Sequence, residues 1–336
     1  MARPSGVAYA PHRRGDRRRS LRRLAFRAQE RAVVLGYRAA AAALGLIPTG
    51  ISVPVARLAF RAAYALWPAK RRIVLANAGH VLGLPTDDPQ VARLAHRMYA
   101  TYARYIVELM RLPSRPADEP ARLVVAEGER GAASFAALVE RLQADGRGMI
   151  VASVHIGSIE TLVAAFASRG WPIHGLADDS AYPELFELLN AQRRRWGVEI
   201  IAWRNLREIY RVLRKGGILA LLVDWGYRPD GIPVRLFGDW TTLPAGPAVL
   251  AAKTGAPIVP VVNRRRDDGR FEAVHFEPID VSDDSPAALA AATQALADTL
   301  EAMIRPAPEQ WYTFKPVWPA TAEEAAGLAA RAAGQR

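Results

Sequence analysis

The chain has 336 residues, 51% of them hydrophobic, and no cysteine. That length suits two domains or one large one, and the missing thiols exclude disulfide scaffolds, thiolate zinc sites, iron–sulfur clusters and a cysteine nucleophile. The net charge of +12 is concentrated: residues 1–38 hold eleven arginines against Asp16 and Glu30, a net +9, leaving +3 for the other 298 residues. Basicity therefore belongs to an arm on a nearly neutral body, and such an arm attracts any polyanion, nucleic acid or anionic lipid alike.

Residues 1–31 are expected to be a basic, disordered arm. Residues 32–115 form a helical region whose first part is rich in Ala, Leu and Val with occasional Arg. The uncharged stretch 39–56 approaches spanning length, yet it contains Gly45, Pro48, Gly50 and Pro54, which favours two helices split near Pro48–Pro54 over a transmembrane helix. The long charged lead without a small-residue cleavage site does not fit a signal peptide. A basic arm followed by apolar, Arg-punctuated helices is the pattern of a segment lying on an anionic membrane face. A disordered tail followed by a buried helical hairpin is the alternative.

A second helical stretch runs from Pro68 to Arg111. Asp87-Asp88-Pro89 reads as a helix start, and Val91, Leu94, Met98, Tyr102, Tyr105 and Leu109 recur at spacings of three and four. Pro113, Pro116 and Pro120 end it and mark the internal boundary.

Over residues 116–320 short apolar runs alternate with helical stretches. Strands are expected at Arg122–Ala126, Met149–Val154, Pro172–Ala177, Val198–Ala202, Ile218–Val223, Ile258–Val262 and Phe271–Phe276. Helices are expected at Ala132–Leu142, from Ser158, and at Pro183–Trp196, Asn205–Lys215, Gly246–Thr254 and Pro286–Ile304, with a loop between Asp224 and Gly246. This alternation specifies an α/β fold with a largely parallel central sheet flanked by helices, whose sites collect at the carboxyl ends of strands. Residues 321–336 are an Ala-rich tail, read as a frayed helix. No GxGxxG or GxxxxGK motif gives nucleotide chemistry sequence support.

The six histidines show no i, i+4 pair of the helical zinc type, so no metal or cofactor is expected. His155 follows the apolar run Met149–Val154 and opens His155-Ile156-Gly157-Ser158-Ile159-Glu160. On one regular helix His155 and Glu160 would lie about 140° apart. They can meet if His155 stands on the turn at the strand end and Glu160 in the first helical turn, with Gly157 supplying backbone freedom. A carboxylate there would fix the imidazole tautomer and leave the other ring nitrogen as a general base. A structural His at a strand end is the competing reading.

Further ordered blocks accompany that motif: Val223-Asp224-Trp225-Gly226-Tyr227-Arg228-Pro229, Val234-Arg235-Leu236-Phe237-Gly238, Leu243-Pro244-Ala245-Gly246-Pro247 and Lys253-Thr254-Gly255-Ala256-Pro257-Ile258-Val259-Pro260. Together, over residues 70–320, the sequence resembles the bacterial late lipid A acyltransferases (lauroyl and myristoyl transferases) and their relatives, the phosphatidylinositol mannoside acyltransferases. The resemblance implies that His155 is the general base and Glu160 its orienting carboxylate. Where the family usually has Gly-Asn-Trp, this chain has Gly157-Ser158-Ile159, so contacts from that Asn and Trp are missing. It further implies substrate-binding roles for Arg193 and Arg204, whose cations can hold a phosphate or an oxyanion, and for Asp224 and Arg228. Glu at 160 leans toward a lipid A precursor as acceptor, and the Leu-Pro-Ala-Gly-Pro block toward a mannoside.

The implied reaction moves a fatty acyl chain from an acyl thioester, carried by acyl carrier protein or coenzyme A, to a glycolipid hydroxyl without an acyl-enzyme. The implied setting is the cytoplasmic face of the plasma (inner) membrane, as a peripheral or monotopic protein in contact with anionic lipids. Trp225, Leu236, Phe237 and Trp240 are candidates to line an apolar groove for the chain, and Trp311–Pro319 is expected to pack against the sheet. Two rivals find less support. A nucleic-acid binder calls for aromatics interleaved with Arg, where the arm offers only Tyr9, Phe26 and Tyr37, and a serine hydrolase calls for a Gly-x-Ser-x-Gly elbow that is absent.

Overall fold

The computed structural model describes residues 13–177 and 182–335, with side chains from residue 26 onward. Four helices come first: α1 (Arg13–Leu46), α2 (Thr49–Leu66), α3 (Pro68–Leu82) and α4 (Pro89–Arg111). The break between α1 and α2 falls at Pro48, the first of the two prolines that bound the expected split, because proline is accepted ahead of a helix; the second, Pro54, lies inside α2. The buried Arg111 guanidinium donates to the Leu44 and Ile47 carbonyls, satisfying acceptors that the end of α1 leaves open. Asp88 caps α4 by accepting from the Gln90 amide at 2.6 Å.

The expected disordered arm differs from what is described. Residues 1–12 lie outside the described residues, but α1 already begins at Arg13. Arg, Ala and Leu are all strong helix formers, so a charge run alone does not keep a chain from coiling. Val34 and Ala41 of α1 are buried, and Glu30 accepts from the Glu184 amide at 2.7 Å, tying α1 to the body of the protein. No described helix is long and apolar enough to cross a membrane.

The chain then continues through α5 (Glu119–Arg122), β1 (Val124–Val125), α6 (Ala132–Ala144), β2 (Met149–Ser153), α7 (Ile159–Ala167) and β3 (Ile173–Ala177). Next come α8 (Pro183–Arg194), β4 (Glu199–Ala202), α9 (Leu206–Arg214) and β5 (Ile218–Leu222). The hairpin β6 (Ile232–Leu236) and β7 (Asp239–Leu243) precedes α10 (Gly246–Thr254), β8 (Ile258–Arg265), β9 (Phe271–His275), α11 (Pro286–Ile304) and α12 (Ala322–Ala333). Seven strands form one sheet in the order β1-β9-β8-β2-β5-β3-β4. Its pairs are parallel except β8 with β9, which confirms the α/β class with a largely parallel sheet.

Central strands buried on both faces alternate side chains between two cores. Ile150, Ala152, Leu219 and Leu221 enter one, shared with α9, α10 and α11. Met149, Val151 and Ile218 enter the other, beneath α6 and α7.

The hairpin corrects the expected loop between Asp224 and Gly246. Its two-residue turn has φ 53° at Phe237 and 86° at Gly238, the left-handed pair that a tight hairpin requires. Phe237 tolerates this because its ring is held between Trp311 and Trp318, with the Arg305 guanidinium 4.9 Å above it.

Candidate active site

The carboxyl end of β2 carries His155 one turn before α7. Gly157 makes that turn: its φ is +62°, and a Cβ there would stand 1.8 Å from the Asn263 carbonyl oxygen of β8. The fully buried Asn263 amide donates to the Ser158 carbonyl at 2.6 Å and to the Thr161 hydroxyl at 2.8 Å, pinning the start of α7 to the sheet. Ser158 caps α7 by accepting from the Thr161 amide.

The carboxylate on the imidazole is Asp224, not Glu160. In the β2–β5 register Ser153 lies beside Leu222, so two residues further His155 lies beside Asp224. Nδ1 of His155 is 2.7 Å from Oδ1 of Asp224, and the His155 amide donates to Oδ2 at 2.9 Å. The Trp311 indole donates to the same Oδ2 at 2.8 Å, so the buried carboxylate is fully engaged. Burial by itself would raise the Asp224 pKa; the His155 charge and these hydrogen bonds outweigh it and hold it below the usual carboxylate range. Burial likewise pulls the imidazole down, but the charge and hydrogen bond of Asp224, helped by Glu160, leave His155 above its ordinary value. An ionised Asp224 makes Nδ1 the protonated nitrogen, and Nε2 has no protein partner among the described residues.

Glu160 occupies the first turn of α7, buried, and looks toward the front helices. Tyr105 of α4 donates its hydroxyl to Oε2 at 3.3 Å, and Arg193 of α8 stands 3.5 Å from Oε1. The expected His155–Glu160 contact is thus replaced by a register partner on the neighbouring strand, while Glu160 holds a cation.

Of the other expected residues, Arg193 and Asp224 line the cavity at His155, whereas Arg204 and Arg228 do not. The Arg204 guanidinium lies over its neighbour Trp203, and Arg228 is tied at 3.1 Å to Asp230 in an exposed turn. Leu236, Phe237 and Trp240 are also absent from the cavity wall, since the hairpin packs the first two into the core around Trp311 and Trp318 and Trp240 carries Arg235 on its face. Trp225 does line it, edge-on to the imidazole with ring centroids 6.1 Å apart.

The cavity measures about 670 Å³. Its mouth holds His155, half-exposed Trp225 and Lys315, and it descends between the sheet and α4, α7 and α8 to a buried floor at Phe166, Ile173 and Val198. Val151, Ala220, Gly175 and Ile200 stand side by side across β2, β5, β3 and β4 and all line the cavity; the Ile200 side chain covers Gly175, which leaves Ala220 as the small residue beneath the cavity. Ser153, at the end of β2, is four residues up the strand from the level of Met149, Ile218 and Ile173, about 13 Å at strand rise, and His155 lies two residues beyond it.

The segment after α11 forms one wall. The Tyr312 amide donates to the His155 carbonyl at 2.7 Å, the Tyr312 ring stacks on Tyr105, and Lys315 stands over Trp225. Core packing was the expectation for this segment, and buried Trp311 meets it, but its indole hydrogen bond to Asp224 had no local sequence signal.

This arrangement offers a base with a fixed tautomer at the mouth of an apolar cavity. The sequence pattern described as bacterial lipid A biosynthesis acyltransferase matches residues 22–319. The chain is 30% identical over 248 residues to the phosphatidylinositol mannoside acyltransferase of Mycolicibacterium smegmatis, covering 72% of this chain and 77% of that protein. It is 27% identical over 256 residues to the protein of the same name from Mycobacterium tuberculosis, covering 74% and 77%. Matched over nearly its whole α/β body and most of its front helices, the chain belongs to the bacterial lipid A biosynthesis acyltransferase family and is an enzyme that transfers acyl groups.

Proposed function

We propose that the protein is a glycolipid O-acyltransferase in which His155 is the general base and Asp224 its orienting partner. The observation that carries this reading is the 2.7 Å contact between Nδ1 of His155 and Asp224 at the mouth of an apolar cavity. Nε2 takes the proton from an acceptor hydroxyl as its oxygen bonds to the thioester carbonyl carbon. The Asp224 carboxylate stabilises the imidazolium that forms. The tetrahedral intermediate then expels the thiolate as the carbon–sulfur bond breaks, and the imidazolium returns the proton to sulfur. Arg193, held by Glu160, supplies positive charge near the developing oxyanion.

The donor is a fatty acyl thioester of coenzyme A or acyl carrier protein. Its chain lies in the cavity, which runs along the strands from the level of His155 to that of Ile173. The relatives' names favour a mannosylated phosphatidylinositol as acceptor over a lipid A precursor.

Both substrates partition into lipid, and α2 supplies a surface for it. Ile51, Val55, Leu58 and Leu66 form an exposed apolar stripe at helical spacing, flanked by exposed Arg57 and Arg61 and closed by Trp67. In this reading α2 rests on the cytoplasmic face of the plasma membrane as a peripheral element, where thioester donors are made.

The test is transfer by the purified protein from palmitoyl-coenzyme A, and from palmitoyl acyl carrier protein, to mannosylated phosphatidylinositol in mixed micelles. Product is read by mass spectrometry. The reading predicts an acylated glycolipid with one donor and none with His155→Ala; an unmodified acceptor with both donors overturns it.

A further inference from the structure

Two cations at the cavity mouth are not used by the acyl-transfer chemistry. Lys70 lies in the first turn of α3 and donates to the Phe314 carbonyl at 3.1 Å. Lys315, one residue along that segment, holds its ammonium 4.5 Å from the centre of the Trp225 ring. Both line the cavity that contains His155. Lys253 is paired with Asp284, but neither Lys70 nor Lys315 has a carboxylate within ion-pair distance among the described residues. Arg193, the other cation at this cavity, is already engaged by Glu160.

An ammonium has three donors, and a single carbonyl or a ring face leaves most of them open. The segment that carries Lys315 and accepts from Lys70 is itself fixed: the Lys315 carbonyl accepts from Asn77 at 2.9 Å, and the Pro316 carbonyl from the Tyr227 amide at 2.8 Å. The two charges are therefore placed in advance of any ligand.

Their position gives the ligand a shape. Leu66 and Trp67, the exposed end of the α2 stripe, precede Lys70 by four and three residues across the α2–α3 junction, so an apolar surface adjoins the lysines on one side. On the other side, Lys315 lies 4.5 Å from the Trp225 ring centre, which is 6.1 Å from that of His155, so the ammonium stands within about 11 Å of the imidazole. A ligand matching this layout has lipid tails, then an anionic group, then a sugar-sized spacer ending in a hydroxyl.

We propose that Lys70 and Lys315 form a phosphate-binding site at the cavity mouth that anchors a substrate phosphate ester while His155 reaches its hydroxyl. This rests on the glycolipid acyltransferase reading and names the group by which that site recognises its substrate. The phosphodiester of the acceptor lipid and the phosphates of a coenzyme A donor share this chemistry, and the layout beside the α2 stripe favours the lipid.

The test compares the wild type with the Lys70→Gln/Lys315→Gln double variant and its Lys70→Arg/Lys315→Arg counterpart, each first checked for an unchanged melting temperature. Equilibrium binding of dihexanoyl phosphatidylinositol is read alongside that of an uncharged dihexanoylglycerol glycoside. The site predicts about tenfold weaker phosphatidylinositol binding in the Gln pair, recovery in the Arg pair and no change for the uncharged glycoside. Equal losses for both lipids overturn it, and so does no loss for either when binding of palmitoyl-coenzyme A is also unchanged. This readout needs no turnover, so it separates failure of the phosphate site from failure of the acyltransferase reading.

A transfer assay then locates the phosphate. With palmitoyl-coenzyme A and mannosylated phosphatidylinositol, KM of one substrate rises in the Gln pair while kcat holds on its pH plateau, the comparison being made there because the Lys315 charge also lowers the His155 pKa. Replacing the acceptor by an alkyl mannoside abolishes the variant's defect if the lipid phosphate is bound. Replacing the donor by a palmitoyl thioester of N-acetylcysteamine abolishes it if coenzyme A phosphates are bound. A defect that survives both replacements overturns the proposal.

Discussion

Asp224 holds His155 by two contacts at once, its Oδ1 2.7 Å from the imidazole Nδ1 and its Oδ2 accepting the His155 amide. The carboxylate therefore fixes both the backbone and the ring of the residue it serves, and Trp311 fixes the carboxylate in turn. A general base works in its neutral form, so activity should fall as pH drops through a His155 pKa lying above 6.5. In Asp224→Asn the negative charge that raises this pKa is gone, and burial then dominates in the opposite direction. The acid limb of kcat/KM should move to lower pH while its plateau falls by about a hundredfold or more. A limb that stays in place would remove Asp224 from the imidazole. The same pair has a stability signature: its His155 part is present below pH 6.5 and is lost as pH rises through the raised folded value.

Glu160 touches Arg193 and Tyr105, and reaches His155 only through its field. Glu160→Gln keeps the shape but loses the charge that holds Arg193. The expected result is a lower kcat with an acid limb displaced in the same direction as in Asp224→Asn, by less. Matched pH profiles of the two variants check this, and a larger displacement in Glu160→Gln would return the orienting role to Glu160.

How far the sequence carries depends on whether a signal is local. Asp87-Asp88-Pro89 is a start signal written in adjacent residues, and α4 begins where that signal places it. His155 at a strand end was legible in the same way. Its partner was not, because Asp224 is 69 residues away and reaches it only once β5 is known to lie beside β2. Without that neighbour relation the nearer carboxylate in sequence, Glu160, is the natural choice. Trp311 and Lys315 come from still further along the chain. The β6–β7 hairpin was missed for a different reason: its turn puts Phe237 at positive φ, a position where glycine or asparagine is the usual signal.

Gly157 is the hinge of the site's backbone, and no side chain fits there. Gly157→Ala would combine a left-handed φ with a Cβ 1.8 Å from the Asn263 carbonyl, a backbone atom that cannot step aside. A stability loss of about 3 kcal/mol or more is expected, read as a lower melting temperature. A variant of unchanged melting temperature would mean that the β2–α7 turn is built differently.

Ala220 keeps the middle of the sheet face low where the cavity passes over it. Ala220→Leu places a branched side chain in the cavity between mouth and floor. Donors that end above it should keep their kcat/KM, while longer chains lose about tenfold or more through overpacking. Assays from octanoyl to stearoyl thioesters give the profile. A uniform loss across all lengths would place the acyl chain elsewhere.

The α2 stripe gives the last expectation. Val55 and Leu58 are 62% and 69% exposed, so neither contributes to the core, and a charge placed on them costs the fold little. On a membrane the cost is different, because each apolar side chain withdrawn from lipid and replaced by Glu loses its transfer energy and adds repulsion from anionic headgroups. Val55→Glu/Leu58→Glu should leave the melting temperature within error and lower flotation with vesicles containing anionic lipid by about tenfold or more. The loss should persist at high salt, since its apolar part is not screened as the attraction of the front-helix arginines is. Flotation equal to the wild type would show that the stripe does not face lipid.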